Sequence, residues 1–330
     1  MHSGMRQLLS AVLKTAVVLI TIVISICLSA PVFANNTESI TIGNPGILIL
    51  KSNDSELYNK LASELAFTLR VKCHSCPQKR IFIDSQSVNN FNREKFNNNN
   101  YNFIITLGKK AWLESKGLDL NPETKTLHAV LPLDQEILNA KSNDYFLVLE
   151  QSYEKQLQIL SDLFNQQHYI SVIYSDNSQW RKALIINASE KVGITPDFRK
   201  TESVDDSSIS TLLNQKNLTA KSILMLPDKQ LYNRNNINQI LLSGYTNNVT
   251  FIGYSISLVK TGALASIITP QNDIASDISK LSYEILNQDK TPGIYYPSSY
   301  KVFINQNILE TLNITIKKDF FDTHPVEVVQ

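Results

Sequence analysis

The chain carries almost no net charge: 31 Lys and Arg against 30 Asp and Glu leave +1 over 330 residues. Proteins that hold nucleic acid by its phosphates concentrate Lys and Arg, so no nucleic-acid partner is expected. Cysteine is scarce, with only Cys27, Cys73 and Cys76. A structural zinc needs about four ligands, and neither a second Cys pair nor a close His cluster is there to complete one. The five His include no H-E-x-x-H, no G-x-G-x-x-G opens a strand–helix turn, and no G-x-x-x-x-G-K-[ST] loop occurs. Their absence removes the usual zinc-hydrolase, dinucleotide and nucleotide-phosphate sites, and neither metal nor cofactor is expected.

Long apolar runs are also missing, except at the N-terminus. There Arg6 and Lys14 precede "TAVVLITIVISICLSA", then "PVFA" and polar "NNTES". A basic start, a short apolar stretch and small residues at a cut site describe a secretory signal peptide. Val32 and Ala34 occupy the small-residue positions, so cleavage is expected after Ala34, with an uncleaved N-terminal anchor as the rival reading. The expected location is periplasmic or otherwise extracytoplasmic. Export makes "CHSC" readable as a small disulfide between Cys73 and Cys76, clipping a helix–strand turn. A redox pair would place its first cysteine at a helix start, whereas Cys73 follows a helical segment and precedes Pro77 and a strand.

What is present is alternation. "GILILKS" is an aliphatic run, followed by a segment in which Leu57, Leu61, Leu65 and Leu69 recur every four residues as on one helix face. Strand-like runs and helical segments then take turns to "YKVFINQNILETLNI". Strands that are apolar throughout, rather than alternating, mean parallel sheets covered on both faces. The fold class is therefore α/β with two doubly wound parallel-sheet lobes, the second starting near Gln151.

In such sheets ligands lie beyond the carboxyl ends of the strands. That rule selects "KSNDS" (51–55), "TLGKK" (106–110), "YSDNS" (174–178), "LPDKQLY" (226–232) and "GYSIS" (253–257). Each joins a helix N-terminus to small polar side chains, a combination that holds polar groups without catalysis. Lys109 suits a carboxylate, Asp176 or Asp228 an ammonium, and Tyr174, Tyr232 or Tyr254 a ring. The bland alternatives are helix caps for the acids and packed core for the tyrosines. "GYSIS" half-matches the nucleophile elbow G-x-S-x-G, with later acids and His324 in the right order for an exported serine hydrolase. Ser257 replaces the second glycine and no glycine-rich oxyanion segment exists, so an enzyme is not expected.

The stretch "LPDKQLYNRNNINQILLSGYTNNVTFIGYSISLVKTGALASIITPQNDIASDISKLSYEIL" resembles the second half of ABC-transporter substrate-binding proteins with the type I periplasmic-binding fold. "QSYEKQLQILSDLFNQQHYISVIYSD", "NFIITLGKKAW" and "YKVFINQNILETLNI" are similar to other parts of that family, which includes aromatic amino acid binders. The resemblance implies two lobes that close on a ligand about a hinge. It implies a signal peptide at 1–34, an N-terminal lobe at 35–150 and a C-terminal lobe at 151–262. Residues 263–316 would return to the N-terminal lobe and close with a strand and helix, leaving 317–330 as a frayed tail. Carried over by position, the cleft would be lined by Ser52, Gly108, Tyr174, Asp228, Tyr232, Gly253, Tyr254 and Ser255. Where the family has small residues after Gly108, this chain has Lys109-Lys110, which leans towards a ligand with an extra negative group. The implied partners are a small molecule, amino acid-like or a small carboxylate, and an inner-membrane ABC permease, with the protein a monomer. The same fold used for sensing or partner binding without transport is the alternative.

The cysteine reading is directly testable. Non-reducing mass spectrometry of the mature protein is expected to show no free thiol, and two alkylatable cysteines would refute the pairing.

Overall fold

Strand β1 (Gly46–Lys51), sequence GILILK, is buried along its whole length, as a strand covered on both faces must be. The computed structural model describes residues 46–72, 82–93, 101–140, 143–164, 168–201, 206–213, 221–287 and 290–330. The expected leader at 1–34, its cleavage site and the Cys73–Cys76 pair lie outside the described residues. Among the described residues no helix is long and apolar enough to cross a membrane.

The first lobe contains α1 (Glu56–Lys72), β2 (Phe82–Ser87), β3 (Phe103–Leu107), α2 (Lys109–Ser115), β4 (Lys125–Leu131), the single turn α3 (Gln135–Leu138) and β5 (Tyr145–Val148). Its sheet runs β11-β5-β4-β3-β1-β2, where β11 (Gly293–Tyr295) arrives from far along the chain. Every pairing in it is parallel. Three of the four periodic leucines of α1, Leu61, Leu65 and Leu69, sink into the core beneath β1 and β3, while Leu57 stays 46% exposed. α9 (Ile274–Asn287) lies in the same core through Ala275, Ile278, Leu281 and Ile285.

The second lobe opens with α4 (Tyr153–Leu163), whose first turn is capped by Ser152 Oγ accepting from Lys155 N at 3.1 Å. It continues through β6 (Tyr169–Tyr174), α5 (Arg181–Val192), β7 (Thr195–Lys200), α6 (Asp206–Leu213), β8 (Ser222–Leu224), α7 (Ile237–Thr246), β9 (Thr250–Gly253), α8 (Ile256–Thr261) and β10 (Ala265–Ile268). β12 (Lys301–Asn305) returns antiparallel to β10, and its exit is capped by Asn305 for α10 (Gln306–Thr311). The sheet order is β13-β12-β10-β9-β8-β6-β7, with β13 at Val326–Val329.

The chain therefore passes between the lobes three times, at 149–152, 269–273 and 296–300. Arg181 of the second lobe anchors the first passage. Its Nη1 donates to Tyr153 Oη at 2.9 Å and its Nη2 to the Leu133 carbonyl of the first lobe at 2.7 Å, with Glu150 Oε1 3.4 Å away. Glu150 in turn accepts from Leu133 N at 2.7 Å. Burial raises the Glu150 carboxyl above its ordinary range even with Arg181 beside it, and pushes the Tyr153 phenol up to about 12.

The tail expected to fray is folded. α11 (Phe320–Thr323) inserts Phe320, 1% exposed, into the second core, and β13 (Val326–Val329) extends the sheet in parallel with β12. His324 is held between Tyr300 Oη at 3.0 Å and Asp162 Oδ2 at 3.2 Å. A polar run reading "DTHP" hid this, because one buried ring and a four-residue edge strand leave little periodic pattern. Phe320→Ala is expected to lower the unfolding free energy by about 3–5 kcal/mol, read by chemical denaturation. A loss under about 1 kcal/mol would mean that the tail contributes little to the core.

Candidate functional site

All six strands of the first lobe run the same way, so their carboxyl ends share one edge. At that edge Ser52 ends β1 and its Oγ accepts from Ala111 N at 3.1 Å, satisfying one of the unpaired N–H groups of α2. Gly108, which precedes α2, has φ +89°. A side chain there would be conformationally strained, and its Cβ would collide with the hydroxyls of Tyr58 and Ser52. Ser52, Gly108 and the half-buried Tyr58 thus form one tight contact.

Beside them lies a cavity of about 250 Å³. Leu57, Tyr58 and Leu61 of α1, Val130 at the end of β4, Leu149 of the first passage and Ile274 make its apolar lining. Lys60, Glu64, Gln271 and Asn272 supply polar atoms, the last two from the second passage. Val130 holds φ +60° where the β4–β5 register shifts between Ala129 and Leu131. A β-branched residue pays roughly 1–3 kcal/mol for that conformation, and such strain gathers at ligand sites.

The second lobe presents a different wall. Asp228, at the turn beyond β8, is 3% exposed. Its Oδ2 accepts from Ser175 Oγ at 2.6 Å and Ser178 Oγ at 2.7 Å, and its Oδ1 from Gln230 N at 2.9 Å and Leu231 N at 3.4 Å. A carboxylate has about four acceptor positions, and all four are occupied. Asp228 therefore welds the exit of β8 to the exit of β6. Tyr232, one turn on, is buried, and its hydroxyl has no hydrogen-bond partner among the described residues. Burial drives its phenol far above the ordinary range, with Tyr254 and Asp228 adding to the effect. Tyr254, half-buried after β9, is raised by burial and then by Asp228. Gly253 allows the close approach of Leu258, whose Cβ would lie 2.8 Å from an added Cβ.

The remaining expected residues are engaged elsewhere. Lys109 bridges Asp134 at 2.7 Å and Glu136 at 3.1 Å, and its pKa is raised chiefly by the Asp134 hydrogen bond. Lys116 completes this pair of acids and holds Glu136 below its usual range. Asp176 is exposed and pairs with Lys200 at 2.8 Å. Tyr174 packs edge-on to Phe198 under Lys182, whose Nζ lies 4.6 Å from the ring centre. Ser255 Oγ accepts from Leu258 N at 3.4 Å as the cap of α8, while His324 is occupied by Tyr300 and Asp162. Ser255 and His324 thus have other partners than the serine-hydrolase reading requires.

Comparison with known proteins bears on this geometry. Residues 149–328 match the family described as ABC transporter substrate binding protein. The chain belongs to that family. This substrate-binding protein is similar in fold to a ligand-free, open substrate-binding protein with adhesive properties from Clostridium difficile. The two share 14% identity and a TM-score of 0.61 over 87% of this chain and 100% of that one. A domain in complex with L-Trp from Streptococcus pneumonia matches over the same shares at 15% identity and a TM-score of 0.49. No curated protein sequence matches the chain. The two-lobed α/β periplasmic-binding fold and membership in a family of ABC-transporter binding proteins are established on this basis.

Sequence reasoning missed Tyr58, Val130, Leu149 and Gln271 as cavity residues. Ser175 and Ser178 were visible inside "YSDNS" but not as partners of Asp228. Asp228→Ala would leave two buried hydroxyls and two backbone N–H groups without their acceptor. It is expected to destabilise the ligand-free protein by about 3 kcal/mol, measured by chemical denaturation, and an unchanged midpoint would show that the carboxylate is not the weld described.

Proposed function

We propose that this substrate-binding protein captures a small molecule between its lobes and delivers it to an inner-membrane ABC permease, acting outside the cytoplasm as a monomer. The observation that carries the reading is the cavity at the strand edge of the first lobe, bounded by two of the three passages between lobes. A ligand there touches both the binding wall and the chain segments that bend on closure, so binding can drive closure by differential contact with the two states. The lining favours a ligand with an apolar portion, and the rim offers Gln271, Asn272 and the Lys60–Glu64 pair to its polar end. Lys109 carries no uncompensated charge, since it is shared by two acids. An amino acid-like molecule with an apolar side group therefore fits better than a small carboxylate.

The test is a thermal-shift screen of the mature protein against amino acids, nucleosides, small carboxylates and sugars. A true ligand at 100 times its Kd stabilises the folded state by about 2.7 kcal/mol, which is read as a raised melting temperature. For the hit so found, Tyr58→Ala is expected to raise Kd about tenfold by opening the wall shared with Gly108 and Ser52. Unchanged affinity would move the site away from this cavity.

A further inference from the structure

The three passages between the lobes meet at a single buried amide, which the first supplies and to which the second and third contribute one acceptor each. Gln151, in the first passage, is 3% exposed. Its Nε2 donates to Thr269 Oγ1 in the second passage at 2.8 Å and to the Ser299 carbonyl in the third at 2.9 Å. A primary amide nitrogen has two hydrogens, and both are spent on these bonds. The main-chain carbonyl of Gln151 accepts from Gln156 Nε2 at 2.7 Å, which fixes the residue to α4 of the second lobe. The third passage is bound in turn to the first lobe. Asp277, in the first turn of α9, accepts from Ser298 Oγ at 2.6 Å, Ser299 Oγ at 3.1 Å and Ser299 N at 3.2 Å.

We infer that Gln151 is the positioning residue of the hinge, holding the three passages in one relative arrangement and so setting the balance between lobe separations in the ligand-free protein. Rotation of the lobes moves the passages against one another, because each runs from one lobe to the other. Nothing else among the described hydrogen bonds ties all three through one side chain. A buried donor separated from its acceptor forfeits the bond without gaining water, so intermediate positions are disfavoured and the hinge has discrete settings. The inference goes beyond ligand capture and needs no ligand for its test.

The experiment measures lobe separation directly in the full-length mature protein without ligand. Spin labels are attached through azido side chains introduced at Glu123 of the first lobe and Glu190 of the second, both exposed. Double electron–electron resonance then gives the distribution of distances. Gln151→Met keeps the volume and removes both donors. The ratio of the principal wild-type separation to all others is expected to fall at least about threefold in this variant. A wild-type distribution in a variant shown by circular dichroism to be folded overturns the inference. Should Gln151→Met not fold, Thr269→Val removes one acceptor only and decides alone. A shifted ratio supports the hinge role, and an unchanged one refutes it.

Discussion

A strand can run parallel to its neighbour only if the chain first returns to the starting edge, and the whole molecule is arranged around that constraint. The return is made by helices, which cover the sheet faces and force the strands to be apolar on both sides. It also delivers every strand of the first lobe to one common edge. Two passages to the second lobe leave from that same edge, after β5 and β11, and the third runs the other way, from β10 of the second lobe to α9 of the first. Cavity and hinge are neighbours for this reason. Leu149 borders the cavity where the first passage leaves the first lobe, and Gln271 where the second passage enters it.

Charge is handled in the same economical way. Asp228 is saturated by two hydroxyls and two amides, Arg181 by a tyrosine, a carbonyl and Glu150, and Lys109 by two acids. Asp228 and Arg181 are buried, so leaving either unpaired would be costly, whereas Lys109 is exposed and its pairs are of the weaker surface kind. The strand exits of the second lobe are thus held by their own hydrogen bonds. The first-lobe cavity, with its exposed Leu57 and strained Val130, is where adaptation is available. Tyr232 departs from this pattern, its buried hydroxyl having no partner among the described residues, as do the hydroxyls of Ser189 and Ser266 in the same lobe.

The layers and lobes were legible because they rest on patterns many residues long. Apolar runs such as GILILK and the four-residue spacing of leucines in α1 are imposed by burial and survive substitution of any one residue. The site was only half legible. Strand ends could be found from topology, and Ser52, Gly108, Asp228 and Tyr232 do lie there. Their hydrogen-bond partners could not be found, since Ser175 and Ser178 meet Asp228 some fifty positions away, at separations of 53 and 50. Lys109 read as a free cation because Asp134 and Glu136, at the start of α3, lie some twenty-five positions away in sequence. Leu57 read as core because its spacing matches that of Leu61, yet it is 46% exposed and lines the cavity. The tail escaped notice for want of any repeating pattern.

β11 places the partner of β5 after strands β6 to β10 of the second lobe in sequence, and β12 and β13 of the second lobe follow β11. Neither sheet can be completed from its own contiguous stretch of chain. A ribosome-tethered polypeptide that lacks its last forty residues has two unfinished sheets rather than one finished domain and one missing. Non-local pairing of this kind postpones the reward for closing the intervening loops and slows folding. The interleaving of the lobes thus couples their acquisition of structure in time, so that the two halves of the binding protein become native together.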